Sequence, residues 1–143
     1  MNDVTLFFIV IVGYERYTEC LATSTAHMKD YMALFLGSTD KVVEARADNN
    51  EESKTRMQEG MMAWGKWMED HKASIVETGS PLGKTKKVNK EGVSDTRNDI
   101  GAYTVVRAES HEEAAKMFEG HPHFMIFPGD RVEVMECLPM PKP

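Results

Sequence analysis

The segment Tyr31–Leu36 (YMALFL) limits the possible folds of this chain, because all six of its residues are apolar. A short run that is apolar on both of its alternating faces is typical of a β-strand buried above and below. Such a strand needs a covering layer on each side. The remaining residues, or a second molecule, must supply both layers.

The segments that follow this strand predict an α+β domain. Asn49 and Glu52 form an N-cap and an acidic first turn for a long helix, which we expect to run to about Thr78 and to end at Gly79. The polar stretch before it, Gly37–Asn50, is typical of a loop. The next predicted elements are a strand at Gly83–Val88, a turn at Asn89–Gly92 and a strand at Gly101–Ala108. A helix at His111–Glu119 follows, opened by Ser110 and Glu113, with Ala114, Ala115 and Phe118 facing inward. The last predicted element is a strand at Arg131–Leu138.

The order of these elements is β-α-β-β-α-β, which is the ferredoxin-like pattern of a four-stranded antiparallel sheet with both helices on one face. Right-handed crossovers place the first and third strands in the middle of the sheet. Two helices cover only one face of Tyr31–Leu36. We therefore expect a homodimer in which two sheets face each other, a dimeric α+β barrel. The alternative cover is the Val4–Val12 segment folding back in the same chain.

A length of 143 residues predicts one domain. We expect residues 1–27 to be an N-terminal extension, 28–140 to form the domain and 141–143 to be a tail. The run Val4–Val12 (VTLFFIVIV) has nine residues, too few for a membrane-spanning helix. It predicts either an extra strand or a part of the extension.

Charge and motifs exclude several classes of function. The net charge of −6 argues against a nucleic-acid partner, which basic side chains would bind. Cys20 and Cys137 are too few for a disulfide framework, so we expect a reducing, cytoplasmic setting without a membrane partner. The sequence has no P-loop, no G-x-G-x-x-G and no H-E-x-x-H, and it predicts no cofactor.

The long helix carries a Met- and Trp-rich stripe at spacings of three and four residues, which indicates one apolar face. Its members are Met57, Met61, Trp64, Met68, His71 and Ile75, with Trp67 on its flank. Packing against the sheet is one interpretation of this stripe. If the stripe borders a cavity, Trp64, Trp67 and Met68 are expected to bind an apolar ligand, and His71 becomes a candidate catalytic group.

His121-Pro122-His123 is the most suggestive local motif. Two imidazoles beside a rigid Pro suit general acid/base chemistry or ligand contact, with His121 as the catalytic candidate and His123 as a ligand-binding one. The alternative is two histidines that cap a helix end or face solvent. A metal would need further ligands at no recognised spacing, so no metal site is predicted. Asp95 and Arg97 are either ligand-binding residues or part of a solvated loop.

Several stretches, in this order, are similar to one known family, the YCII-related domain proteins, which are dimeric α+β barrels. They are Met28–Met32, Trp64–Met68, Gly101–Tyr103 with Ala108–Ala114, His121-Pro122 and Val132–Val134. The resemblance extends from Met28 to Met140. It implies a ferredoxin-like subunit, a homodimer and a pocket for a small molecule.

The resemblance fails at the residues that carry the proposed chemistry of the family. That chemistry uses a histidine on the first helix and an aspartate before the Pro. Here the corresponding positions hold Met61 or Met62 and His121, and Asp95-Thr96-Arg97 stands where many relatives have Asp-Gly-Pro-Phe. We therefore expect a protein that binds a small organic ligand, with its status as an enzyme left open. The alternative is an isomerase or lyase with His121 as the general base.

Overall fold

A computed structural model describes residues 27–38, 40–41, 44 and 47–143 of the chain. The strands are β1 (Lys29–Leu36), β2 (Ile75–Pro81), β3 (Thr85–Asn89), β4 (Gly92–Thr96), β5 (Ile100–Ala108) and β6 (Arg131–Glu136). The helices with described ends are α1 (Glu51–Asp70), α2 (His111–Lys116) and α3 (Pro122–Met125). None of these helices is long and apolar enough to cross a bilayer.

The main sheet has four antiparallel strands in the order β2-β5-β1-β6. The strands β1 and β5 are therefore in the middle, as the sequence predicts. This confirms the α+β, ferredoxin-like class with a four-stranded antiparallel sheet. The β1 strand includes the predicted segment Tyr31–Leu36 and begins two residues earlier.

One face of the sheet packs on the helices and forms the core. From β1, Tyr31, Ala33 and Phe35 point to this face and are almost completely buried. They cluster with Trp67 of α1 and with Phe118, which follows α2. Both helices therefore cover the same face, as expected for this fold.

The opposite face of the sheet is open in the described chain. Met32 of β1 is 37% exposed and Met135, its partner on β6, is 42% exposed. Leu34 lies opposite Tyr103 on this face, and both are half-buried. The predicted homodimer would cover this face and stays a prediction. Val4–Val12, the alternative cover, lies outside the described residues.

The helix α1 is shorter than predicted. It ends at Asp70 with His71 as its C-cap, and not near Thr78, because Ile75–Pro81 pairs with β5 as strand β2. Gly79 does adopt the left-handed conformation (φ 68°), but within β2, beside an irregularity in the register. A Cβ at this position would lie 1.7 Å from the Tyr103 carbonyl oxygen, so glycine permits the close approach of the two strands.

The lysine-rich segment Gly83–Val88 is not a strand of the main sheet. Its residues from Thr85 belong to β3, which pairs only with β4 in a separate two-stranded sheet. The predicted turn at Asn89–Gly92 is present between the two strands. The hairpin is thus an insertion between β2 and β5. From its residue pattern alone, a strand of such a hairpin looks the same as a strand of the main sheet.

Several local predictions are also wrong in detail. The N-cap of α1 is Asn50, whose side chain accepts from the Ser53 amide at 2.8 Å, and not Asn49. The predicted loop Gly37–Asn50 contains helical residues at 40, 41, 44 and 47. On α1, Met57 and Met61 are exposed, whereas Gly60 is buried. The predicted stripe is therefore not buried along its whole length. The remaining differences are that Ala115 is exposed, that α2 ends at Lys116 and that β6 ends at Glu136.

Candidate functional site

The His-Pro-His motif is held in a rigid turn between α2 and α3. Gly120 has a left-handed backbone (φ 65°), which ends the preceding turn as predicted. His121 is then the N-cap of α3 and Pro122 occupies the first turn, a position that Pro favours. The His121 Nδ1 atom accepts a hydrogen bond from the His123 backbone N–H at 3.1 Å. The motif was predicted as a loop, and Pro122 after a capping residue was the signal for this short helix.

His121 is enclosed by aromatic rings. Its side chain is 0% exposed. The ring centroids of Trp64 and Trp67 lie 4.6 Å and 4.7 Å from that of His121, and both indoles are oriented edge-to-face with the imidazole. Phe35 follows at 5.1 Å and Phe118 at 5.9 Å. We call these four rings the aromatic cage.

Burial keeps the caged imidazole neutral. Loss of solvation is the main reason that the pKa of His121 falls to about 4, and the nearby His123 and His71 contribute to the same shift. Because Nδ1 accepts a hydrogen bond, the single ring proton is on Nε2. Nε2 is buried and has no hydrogen-bond partner among the described residues. In this tautomer Nε2 is a donor and not a proton acceptor.

The neighbouring histidines are bound differently. His123 contacts the Leu36 carbonyl oxygen through Nε2 at 2.8 Å, and His71 contacts the Trp67 carbonyl oxygen through Nδ1 at 2.8 Å. A carbonyl oxygen only accepts, so each of these ring nitrogens carries a proton. His71 also stacks on Trp67 with centroids 4.7 Å apart, which places it behind the cage wall. Both imidazoles therefore support the local backbone in this structure.

The predicted ligand-binding tryptophans do meet at His121. Trp67 is nearly buried, and its Nε1–H donates to the Met117 carbonyl oxygen at 2.7 Å, which ties α1 to α2. Trp64 is half-buried, so it is the outward-facing indole of the cage. Met68 points elsewhere: it lines an open groove of about 420 Å³ between α1 and β2, together with Gly65 and Ile75.

The structure does not bring Asp95 and Arg97 to this site. Asp95 is on β4 and pairs with Lys86 of β3 at 2.5 Å. Arg97 follows β4 and lies 3.8 Å from Asp40. Both side chains are exposed, and these contacts join them to the hairpin and its base.

A second open groove of about 400 Å³ runs between α2 and β6. Its lining is apolar, with acidic and basic side chains in addition. The lining residues are Ala115, Phe118, Glu119, Phe124, Asp130, Arg131, Val132 and Val134. Phe118 belongs to both this groove and the aromatic cage, so one ring separates the two.

Sequence reasoning missed two members of the cage, Phe35 and Phe118. Phe118 was predicted to face inward and Phe35 to lie in a strand that is buried on both faces. The proximity of both rings to His121 depends on the pairing of β1 with β6 and on the turn after α2. No local pattern contains that information. Within residues 27–38, 40–41, 44 and 47–143, no group of three or more His, Cys, Asp and Glu side chains is arranged to hold a metal ion.

Comparisons with known proteins find a structural similarity. No family model matches the chain, and no curated protein matches it. A solved structure of 5-chloro-2-hydroxyhydroquinone dehydrochlorinase from Burkholderia phenoliruptrix AC1100, in complex with 2,5-dihydroxybenzoquinone, is similar with a TM-score of 0.44 and 19% sequence identity. The similarity covers 73% of this chain and 89% of that one. The resemblance to the YCII-related family stays a prediction, since no family model supports it.

Proposed function

We propose that this protein binds a small, uncharged organic molecule at the aromatic cage, with the His121 Nε2–H as the hydrogen-bond donor. The observation that carries the proposal is a donor that is 0% exposed and has no partner among the described residues. Leaving a buried donor unpaired costs about 1–3 kcal/mol, so such a group in a folded protein requires an explanation. A ligand oxygen would supply the missing acceptor.

The chemistry of the cage favours a particular kind of ligand. Trp64, Trp67, Phe35 and Phe118 present apolar surfaces, and aromatic faces carry partial negative charge. His121 is neutral above its pKa of about 4, so it offers no cation to an anionic ligand. A neutral planar ring with a carbonyl oxygen matches both properties.

Entry to the cage requires movement of one wall. Trp64 is the outward-facing indole, whereas Trp67 is fixed by its hydrogen bond to Met117. Rotation of Trp64 is therefore the route by which a ligand reaches Nε2. In the closed cage the indole occupies the space beside the imidazole.

A pair of ligands with the same shape tests this proposal. Acetophenone has a carbonyl oxygen, and α-methylstyrene has a CH₂ group at the same position. If Nε2–H binds the oxygen, acetophenone should bind about three- to tenfold more tightly, as expected for one net hydrogen bond. Titrations followed by tryptophan fluorescence measure both affinities, and the preference should vanish in His121→Phe.

The ¹⁵N resonance of His121 provides a reading that does not depend on the variant. Acetophenone should shift the Nε2 signal of the wild-type chain, and α-methylstyrene should shift it much less. Equal affinities for the two compounds, or an Nε2 signal unchanged at saturation, would contradict the site.

The alternative proposal is an isomerase or lyase in which His121 is the general base, with His71 as a second catalytic group. This role requires a ring nitrogen with a free lone pair. In the present tautomer the Nδ1 lone pair accepts from His123 and Nε2 carries the proton. Long-range ¹H–¹⁵N spectra distinguish the two roles: a proton on Nε2 supports the donor, and a proton on Nδ1 supports the base.

We also propose that the protein is a homodimer joined through the open face of its sheet. Two ion pairs on that face form within the chain: Arg107 binds Asp30 through two hydrogen bonds, and Arg131 lies 2.7 Å from Glu133. The carboxylate of Glu77 accepts from the Tyr103 hydroxyl at 2.7 Å. The centre of the face is apolar, with Met32 and its neighbours. An apolar centre with neutralised charges at its margin is the composition of a stable interface.

A further inference from the structure

The β3–β4 hairpin stands apart from the rest of the described chain. We call the segment Lys84–Arg97 the arm. Its two strands form their own sheet, and every residue of β3 and β4 is exposed except the half-buried Thr85. An isolated two-stranded sheet is at best marginally stable in water. Contact with a partner would therefore stabilise the arm more than it would stabilise the other elements.

The contacts of the arm with its own chain lie at its base. The Asn98 side chain donates to the Thr85 hydroxyl at 3.2 Å, and Arg97 lies 3.8 Å from Asp40. Lys86 pairs with Asp95 across the two strands. For the outer part of the arm, no side-chain hydrogen bond or ion pair to another described element is present.

The outer part of the arm combines apolar and basic groups. Val88 and Val93 face each other across the strands and are 73% and 70% exposed. Lys90 follows in the turn next to them. The arm has five basic and two acidic residues, so the net charge of −6 divides into +3 on the arm and −9 on the rest of the chain. The rest of a second copy of the same chain therefore has a net charge opposite to that of the arm.

We propose that the arm of one copy docks in the groove between α2 and β6 of a second copy. The floor of that groove is apolar, with Phe124, Val132 and Val134 among its lining residues, and would receive the valine pair. Glu119 at its margin has no ion pair among the described residues and would receive a lysine. A two-fold axis makes the contact reciprocal, so each copy gives an arm and receives one.

This inference rests on the homodimer of the proposed function, but not on the ligand site. The proposed contact of the arm is separate from the contact at the open face of the sheet. Because Phe118 lines the groove and also belongs to the aromatic cage, the partner's arm would lie against the outer side of one cage wall.

Directed cross-linking tests the contact between unlike copies. In a Cys20→Ser, Cys137→Ser background, one chain carries Val88→Cys and a second chain, with a tag of different mass, carries Ala115→Cys in the groove. Mild oxidation of the mixture should link the two chains. Val88→Cys mixed with Ala73→Cys, an exposed residue after α1, should link much less. No link to residue 115, or equal links to residues 73 and 115, overturns the proposal.

Charge reversal gives an independent measurement in solution. Lys90→Glu should raise the dissociation constant of the dimer about five- to tenfold at low salt, since two reciprocal ion pairs are lost. Lys142→Glu in the exposed tail makes the same change of charge and should leave it unchanged. Glu119→Lys combined with Lys90→Glu should restore the wild-type value in sedimentation experiments.

The outcomes separate the two proposals. A dimer whose dissociation constant is unaffected by Lys90→Glu overturns the arm contact and leaves the open-face dimer in place. A wild-type chain that stays monomeric at high concentration overturns both contacts between copies, and the ligand titrations still decide the aromatic cage.

Discussion

At the residue scale, one imidazole has properties that its sequence context does not suggest. His121 lies in a polar-looking His-Pro-His motif, yet it is the fully buried N-cap of α3. Its two ring nitrogens have different environments: Nδ1 is bound to the His123 N–H, and Nε2 faces aromatic rings. The first contact fixes the tautomer, and the second makes the proton costly to add. Together they turn a candidate base into a hydrogen-bond donor.

The lowered pKa predicts how stability depends on pH. The pKa of His121 is about 4 in the folded chain and about 6.5 in an unfolded one. Between these values the unfolded chain binds a proton that the folded chain excludes. The free energy of unfolding should therefore fall as the pH drops from about 6.5 to about 4, by up to about 3 kcal/mol. Urea unfolding across this range measures the slope.

His121→Asn is the matched variant for this pH dependence. Asparagine still offers a side-chain oxygen to cap α3 but does not titrate. Its stability should depend less on pH over the same range, whatever its stability at neutral pH. The same slope in the two proteins would show that another group is responsible.

At the scale of elements, α1 combines a well-determined start with a face that only packing defines. Two glycines on this helix have opposite surroundings. A Cβ at Gly60 would lie 2.4 Å from Phe127 Cζ, whereas a Cβ at Gly65 would meet nothing within 4 Å. In the sequence the two helical glycines look alike. Only the tertiary structure places one of them, Gly60, against the segment after α3.

Alanine at these two positions should change stability in opposite directions. Gly60→Ala should lower the free energy of unfolding by about 1–3 kcal/mol, because overpacking against Phe127 exceeds the gain in helix propensity. Gly65→Ala should raise it by about 0.5–1 kcal/mol, since only the propensity changes. Thermal and urea unfolding of the two variants measure both effects. A stabilising Gly60→Ala would contradict the packing described for Phe127.

The start of α1 gives a second prediction at this scale. Asn50→Ala should cost about 1 kcal/mol, because the Asn50 side chain accepts from the Ser53 amide at 2.8 Å. Asn49→Ala removes the residue that sequence alone favours as the cap and should have little effect. Urea unfolding measures the free energy of unfolding of both variants. If both lose a similar amount of it, Asn50 alone is not the cap.

At the scale of the whole molecule, the open face of the sheet determines the proposed assembly. Met32 and Met135 are exposed side by side, with Val105 opposite Met32 on β5. An exposed apolar patch of this kind is typical of an interaction surface. The arm lies outside this face, so the two proposed contacts are separable by mutation.

Met32→Glu should therefore prevent dimerisation, because it places an unpaired charge in the centre of the interface. Met62→Glu on α1 is the matched control: its methionine is 76% exposed and outside the face. Sedimentation should give a monomer for the first variant and a dimer for the second. If both variants are dimers, the interface does not lie on the open face.

The sequence alone determined the α+β class and the central place of β1 in the sheet. Six consecutive apolar residues at Tyr31–Leu36 suit a central strand, and the Ser110 capping box starts α2 where the structure has it. These signals are local, because they arise from side-chain periodicity and from hydrogen bonds within one turn.

Only the tertiary structure decided the end of α1, the separate hairpin and the aromatic cage. The predicted helix extended to about Thr78, but β5 offers residues 75–81 a hydrogen-bonding edge, and pairing there prevails over helix propensity. The cage gathers Phe35, Trp64, Trp67 and Phe118 from separate elements around His121. Its neutral, unpaired Nε2–H results from burial, and burial is a property of the packed chain that no single segment contains.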